Sequence, residues 1–375
     1  GGGVGGGGRP GSGETHALSG TRRTVLVDIV ELRRRLRTGM VIPAHPLALT
    51  ADRRLDERRQ RALSRYYLAS GAGGLAVAVH TTQFGIRRAG VGLLEPVLAL
   101  ASEAAREHES ARRDKLVLVA GICGTRRDAV REARLARDLG YHAGLVSLGA
   151  LKRAPVKRLV DHMRAIGEIL PVFGFYLQPA VGGRELPEEF WRQLMELDSL
   201  VAIKIAPFDR YATLSVLRAA ADSDRKNEVA LYTGNDDHII LDLVTSYSGV
   251  NGTVRMTGGL LGQWAIWTRT AVGDLRRCHA ALRRGRVSRD LLRYAQELTE
   301  ANAAIFDAAN GFAGAIPGIN EVLRRQGLLE GRWCLDPKED LSPGQEAAID
   351  RIWRLYPHLR DDAFVAQNLS SWLNH

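Results

Sequence analysis

The sequence predicts an α/β fold, a (β/α)8 TIM barrel with a C-terminal helical extension. Three observations carry the prediction. Short apolar runs alternate with helix-like segments, the pattern of βαβ units in a parallel sheet. Eight such runs lie roughly thirty residues apart over about 250 residues, the size of one barrel. No G-x-G-x-x-G follows the first run and no P-loop is present, which sets aside the open doubly wound sheet.

Taken in order, residues 1–20 (GGGVGGGGRPGSGETHALSG) are a low-complexity, Gly-rich leader expected to be disordered, either natural or an expression remnant. Residues 21–38 hold an N-terminal helix, amphipathic over 24–37 and ended by Gly39. Residues 39–285 form the predicted barrel, with strand-like runs at 40–44, 74–79, 116–122, 143–148, 172–177, 201–206, 229–233 and 249–254. Helix-like segments at 55–69, 126–139, 155–168 and 187–197 separate several of them. Residues 286–375 read as helical only, at 289–309, 318–327 and 343–355, with Pro317, Pro337 and Pro343 in the connecting loops.

The bulk properties narrow the function classes. The composition is that of a soluble globular chain, and no apolar stretch reaches the ~20 residues that span a bilayer. No secretory pattern follows the glycines, so the expected compartment is the cytoplasm. Cys123, Cys278 and Cys334 are far apart and odd in number, which suggests neither a disulfide framework nor a metal site. The net charge of +10 comes from arginines interleaved with acids, as in 56–61 and 126–132. Such dispersion marks solvated helix faces rather than a nucleic-acid stripe.

Lys204 is the most informative residue. It interrupts the apolar run 201–206 (VAIKIA), and a buried ammonium is costly unless paired or neutralised. A neutral lysine can form a Schiff base with a carbonyl substrate; the alternative is the solvent end of an edge strand. Strand parity places Val201, Ile203 and Ile205 on one face and Ala202, Lys204 and Ala206 on the other. The small set with the lysine suits the barrel interior. By the same logic Tyr176 and Gln178 are expected inward from the adjacent run 172–177, so that a phenol and an amine face one cavity. The alternative for Tyr176 is a packed tyrosine with a satisfied hydroxyl.

These residues, with the strand ends AVHTTQ (78–83), GFYLQP (174–179), AIKIA (202–206) and YTGNDD (232–237), resemble the dihydrodipicolinate synthase and N-acetylneuraminate lyase family of class I, Schiff-base lyases. The resemblance runs in order through about residues 39–350. It implies that Lys204 is the imine-forming lysine and that Tyr176, in Tyr-x-x-Pro, relays protons. It implies that Thr81 and Thr82 hold the carboxylate of a 2-keto acid, and that Gly234 and Asn235 lie close to the substrate. The cofactor expectation is none beyond the covalent lysine imine, and a homo-oligomer is expected. The departures are equally specific. Ala180-Val181-Gly182-Gly183 stands where the synthases carry an arginine for a dicarboxylic partner, with Arg184 just beyond. His80-Thr81-Thr82-Gln83 replaces Gly-Thr-Thr-Gly, and no aromatic pair follows the fourth strand.

His80 is therefore read as a pocket-lining hydrogen-bonder. His80, Asp236, Asp237 and His238 give no convincing metal set. Asp237 and His238 are read as helix-start or surface groups, Trp264 and Trp267 as core or oligomer contacts on a helix, Arg255 as following the last strand, and Gly258-Gly259 as opening the next helix. The expected function is a carbon–carbon lyase or aldolase acting on pyruvate or a sugar-acid-derived 2-keto acid. The alternatives are a dehydratase or hydratase using the same imine, and a non-catalytic ligand-binding relative.

Overall fold

The computed structural model describes residues 1–3, 27–112 and 115–374. Residues 4–20 of the predicted leader and 21–26 of the predicted N-terminal helix lie outside the described residues. The barrel strands are β1 (Val41–Pro43), β2 (Gly74–Val77), β3 (Val117–Ile122), β4 (Ala143–Val146), β5 (Val172–Leu177), β6 (Leu200–Ala206) and β7 (Ala230–Thr233). An antiparallel hairpin, β8 (Tyr247–Gly249) and β9 (Gly252–Val254), precedes the eighth barrel strand, β10 (Met256–Leu261). The eight parallel strands are ordered β1-β10-β7-β6-β5-β4-β3-β2. A parallel bridge between Ala44 and Ala76 joins the two ends, with His45 N–H donating to Ala76 O at 2.8 Å. The result is the predicted barrel.

Two predicted features at the eighth strand change. The run 249–254 is not a barrel strand: it carries Gly252 at φ 131° and folds into the hairpin. The true strand contains Gly258 and Gly259, which do not open a helix. A Cβ on Gly258 would lie 2.5 Å from Met40 O, and one on Gly259 would lie 2.6 Å from the Trp264 ring. Glycine here lets the strand approach its neighbours, whereas a sequence reader takes the pair as a turn. Arg255 consequently precedes the strand and is exposed at its N-terminal end. Trp264 and Trp267 lie in the turn before helix Thr268–Arg283, each 1% exposed, so they are core.

The barrel has two differently finished ends. Helix Ile29–Arg37 covers the N-terminal end, its first N–H groups capped by Asp28 Oδ1 at 3.0 and 3.1 Å. It buries Leu32 and Leu36 against interior residues that include Ile42, Val117, Ala143, Phe173 and Tyr232. The Tyr232 hydroxyl donates to Leu36 O at 2.8 Å, so the plug is both apolar and hydrogen-bonded. The C-terminal helical region has helices Arg289–Ile305, Ala315–Arg325, Gln345–Leu355 and Asp362–Leu373; Phe306, Phe312 and Ala315 from its first part reach the other end of the barrel, and Asp362–Leu373 packs along helix Glu57–Ser70. Helix Asp362–Leu373 was not among the predicted segments. Pro317 lies in a first helical turn rather than a loop, where a missing N–H costs nothing.

Candidate functional site

A cavity of about 50 Å³ sits at the C-terminal ends of the strands, where barrel sites are built. Its polar lining is His80, Thr81, Gln178, Lys204 and Asp236. The remainder is small or apolar and includes Phe208, Phe306 and Phe312.

Lys204 comes from β6 on the interior face, as the sequence predicts, although Val201, expected with the isoleucines, joins the interior cluster at the register shift. Ala202 and Ala206 share its interior face, while Ile203 and Ile205 pack into the outer helix layer. The residue is 7% exposed and forms no ion pair or hydrogen bond among the described residues. Its Nζ lies 4.7 Å from the centroid of the Phe175 ring. Burial holds the ammonium below the ordinary lysine range, and the Asp236 charge partly offsets this. Gly234, after β7, makes room for the stem: a Cβ there would lie 2.6 Å from Lys204 Cε and 2.7 Å from Ala206 Cβ.

Tyr176 is a correction. β5 is in register with β6 so that Phe175 pairs with Lys204 and Tyr176 with Ile205, following a shift between Val172 and Phe173. Phe173, Phe175 and Leu177 thus face the interior, opposite to the expected parity. Tyr176 packs in the outer layer, 5.4 Å from the Trp191 ring, and its hydroxyl accepts from Leu186 N–H at 3.3 Å. The phenol does not line the cavity that Lys204 lines.

Thr81 lines the cavity; Thr82 lies behind it. Both hydroxyls donate to the backbone at 2.7 Å, Thr81 to Ala44 O and Thr82 to His45 O. They therefore lace the loop after β2 to the end of β1 and fix the seam. His80 is half-buried in the wall; burial, and then the Lys204 charge, lower its pKa to about 4, so its imidazole is neutral. Asn235 is 1% exposed and works as scaffold. Its Oδ1 accepts from Phe208 N–H at 3.0 Å, and its Nδ2 donates to Asp242 Oδ2 at 3.0 Å and Thr213 Oγ1 at 3.2 Å. Gly234 reaches the cavity and Asn235 does not.

Asp236 is the group the sequence does not single out: it reads there only as part of a candidate metal set, although its place just beyond a strand end is signal enough. The residue is 6% exposed, lines the cavity, and its Oδ1 accepts from Gln263 N–H at 2.8 Å. Burial raises its carboxyl well above the usual carboxylate range, against the Gln263 hydrogen bond and the Lys204 charge. Asp237 is exposed and His238 opens helix Ile239–Val244 without a side-chain cap. Arg184 does not reach the cavity: its guanidinium is spent on the carbonyls of Leu151 and Ala154. Among the described residues no three His, Cys, Asp or Glu side chains cluster to hold a metal, and no helix is long and apolar enough to cross a membrane.

No family model matches the chain. Among curated proteins, a 4-hydroxy-tetrahydrodipicolinate synthase of Acaryochloris marina (strain MBIC 11017) is 27% identical over 139 residues, 36% of this chain and 45% of that protein. One of Cyanothece sp. (strain PCC 7425 / ATCC 29141) is 29% identical over 162 residues, 42% of this chain and 52% of that protein. The chain thus spans about half the length of the curated relatives it matches. Solved structures match more widely. Dihydrodipicolinate synthase from Oceanobacillus iheyensis superposes with a TM-score of 0.69 at 18% identity, covering 88% of this chain and 100% of that one. The synthase from Acinetobacter baumannii, complexed with pyruvate, gives 0.68 at 16% identity, covering 84% and 98%. N-acetylneuraminate lyase from Fusobacterium nucleatum, also complexed with pyruvate, gives 0.65 at 16%, covering 87% and 99%. The resemblance read from the strand ends therefore extends to the whole barrel: this chain shares the fold of the dihydrodipicolinate synthases and N-acetylneuraminate lyases.

Proposed function

We propose that the protein is a Schiff-base-forming carbon–carbon lyase or aldolase whose substrate is a small 2-keto acid. One observation carries the reading: the buried amine of Lys204, without an ion partner among the described residues, lines a small cavity at the strand ends. Burying a cation without an ion partner is costly, and the lowered pKa that results raises the fraction of free amine, the nucleophile of imine chemistry. The iminium then withdraws electrons from the adjacent carbon, so a bond there can break or form through an enamine. Pyruvate in two structures of the same fold supports a keto acid of that size. The apolar part of the lining, and the engagement of Arg184 elsewhere, speak against a dicarboxylic second substrate.

Borohydride reduction in the presence of pyruvate and other 2-keto acids tests the reading, with the modified peptide located by mass spectrometry. An adduct on Lys204 that is absent from Lys204→Met is the expected result. No adduct with any keto acid sinks the proposal and leaves a non-catalytic binding role.

A further inference from the structure

With Tyr176 turned into the helix layer, the cavity lacks the phenol expected to move protons. Five polar side chains remain in the lining. Thr81 has its hydroxyl proton committed to Ala44 O. Gln178 carries an amide, which neither gives nor takes a proton near neutrality. His80 is a neutral imidazole beside a cation, a weak base and no acid there. Lys204 is itself the nucleophile. The remaining group is a carboxyl; the Gln263 N–H on Oδ1 fixes its orientation from behind, and Asn302 Nδ2 holds the residue's backbone by donating to its main-chain carbonyl O at 2.7 Å.

We propose that Asp236 is the acid–base residue of this site, shuttling protons between Lys204, the substrate carbon and the departing oxygen. This deepens the imine reading and rests on it. The carboxylate takes a proton from the Lys204 ammonium; the free amine adds to the C2 carbonyl. The carbinolamine hydroxyl leaves as water with the proton that Asp236 returns, and the iminium remains. Asp236, again a carboxylate, removes a proton from C3, and the C–H electron pair forms the enamine. In the addition direction C3 attacks an aldehyde carbon, and the aldehyde oxygen receives that proton from Asp236. Hydrolysis of the product iminium by water frees Lys204. The raised carboxyl affinity for protons, which comes from burial, suits a group that must hold and release one at neutral pH.

Imine formation and C3 proton transfer are separately measurable. The full-length protein, Asp236→Asn and Asp237→Asn would each be incubated with pyruvate in deuterium oxide. Methyl deuteration is followed by NMR, and the Lys204 adduct is trapped in parallel with borohydride. General acid–base catalysis contributes roughly 10²–10⁴-fold, so deuteration in Asp236→Asn is expected to fall about 100-fold or more, with adduct still reached on long incubation. The exposed Asp237→Asn is expected to match wild type. Wild-type deuteration in Asp236→Asn with the adduct intact overturns the assignment. No adduct in the wild-type protein overturns the imine reading instead, so the two failures are distinguishable. If Asp236→Asn loses its circular-dichroism fold, Asp236→Glu reads the same point. Its carboxylate is displaced by one methylene, and deuteration is expected to fall about tenfold with the adduct retained; an unchanged rate overturns the proposal.

Discussion

The two ends of the barrel are built from the same strands and finished in opposite ways. At the N-terminal end the helix Ile29–Arg37 plugs the interior, its cap and the Tyr232 hydroxyl are satisfied, and the core is aromatic and aliphatic. At the C-terminal end an amine stands without an ion partner among the described residues, a buried carboxyl lines the same cavity, and the loops are strained. Every non-glycine residue with positive φ among the described residues belongs to that end: Arg53, Ala78, Gln83, Phe208, Trp267, Asp307 and Phe312 follow strand C-termini or lie in the helical region above them. Left-handed backbone costs a non-glycine residue of order 1 kcal/mol or more, and it persists where packing over-determines it. One end holds the molecule together; the other accepts backbone strain around a buried amine and a buried carboxyl.

Substitutions can break or sharpen this contrast. The largest expected effect is at the plug. Tyr232→Ala removes a fully buried ring that stacks edge-on with Phe173 at 5.6 Å, and should cost about 3–5 kcal/mol in urea unfolding. Protein that remains folded should still form the Lys204 adduct; loss of the adduct in folded protein would show that the ends are not independent. Next comes acid sensitivity at the C-terminal end. His45, fully buried at the end of β1, has its pKa lowered by burial from 6.5 to about 4. The unfolded chain therefore binds the proton first. The stabilisation is whole above pH 6.5, erodes as pH falls, and is gone near pH 4, about 3 kcal/mol in total. His45→Asn should flatten the dependence of Tm on pH across that window; an unchanged slope would refute the role.

Smaller effects test the cavity lining and the outer layer. Phe208→Ala removes an edge-to-face contact with Phe312 that is itself worth about 1 kcal/mol, while widening the range of keto acids that label Lys204. An unaltered labelling pattern would mean that Phe208 does not gate the cavity. The smallest expected change is in Tyr176→Phe, which forfeits one hydrogen bond worth about 1 kcal/mol in the helix layer. Pyruvate deuteration should stay at the wild-type rate; a large loss would restore the phenol to the chemistry.

The fold was legible because an alternation of strands and helices needs only period and spacing. Lys204 was legible because a charge in an apolar strand has one economical placement, beside alanines rather than isoleucines. β5 was not, since VFGFYL is buried on both faces and its apolar pattern carries no inside or outside. The last strand was hidden by its glycines, which pack closely against Met40 and Trp264 but read as a turn. Asn235 and Thr82 look like ligand-holding residues by type, and only their hydrogen bonds reveal them as scaffold. Asp236 lay in plain view, but its neighbours Asp237 and His238 resemble an ordinary helix start.

The offset at Val172 and Phe173 reaches further than one misplaced tyrosine. Alignment counts letters, whereas a sheet counts pleats, and a half-step slip at the floor of a strand swaps every side chain above it between two environments. Here the slip sets the Phe175 ring, rather than the Tyr176 hydroxyl, next to the amine. A one-residue offset far below the cavity can thus decide which side chain faces a buried group at the top of a barrel strand while the letters at the strand end stay the same.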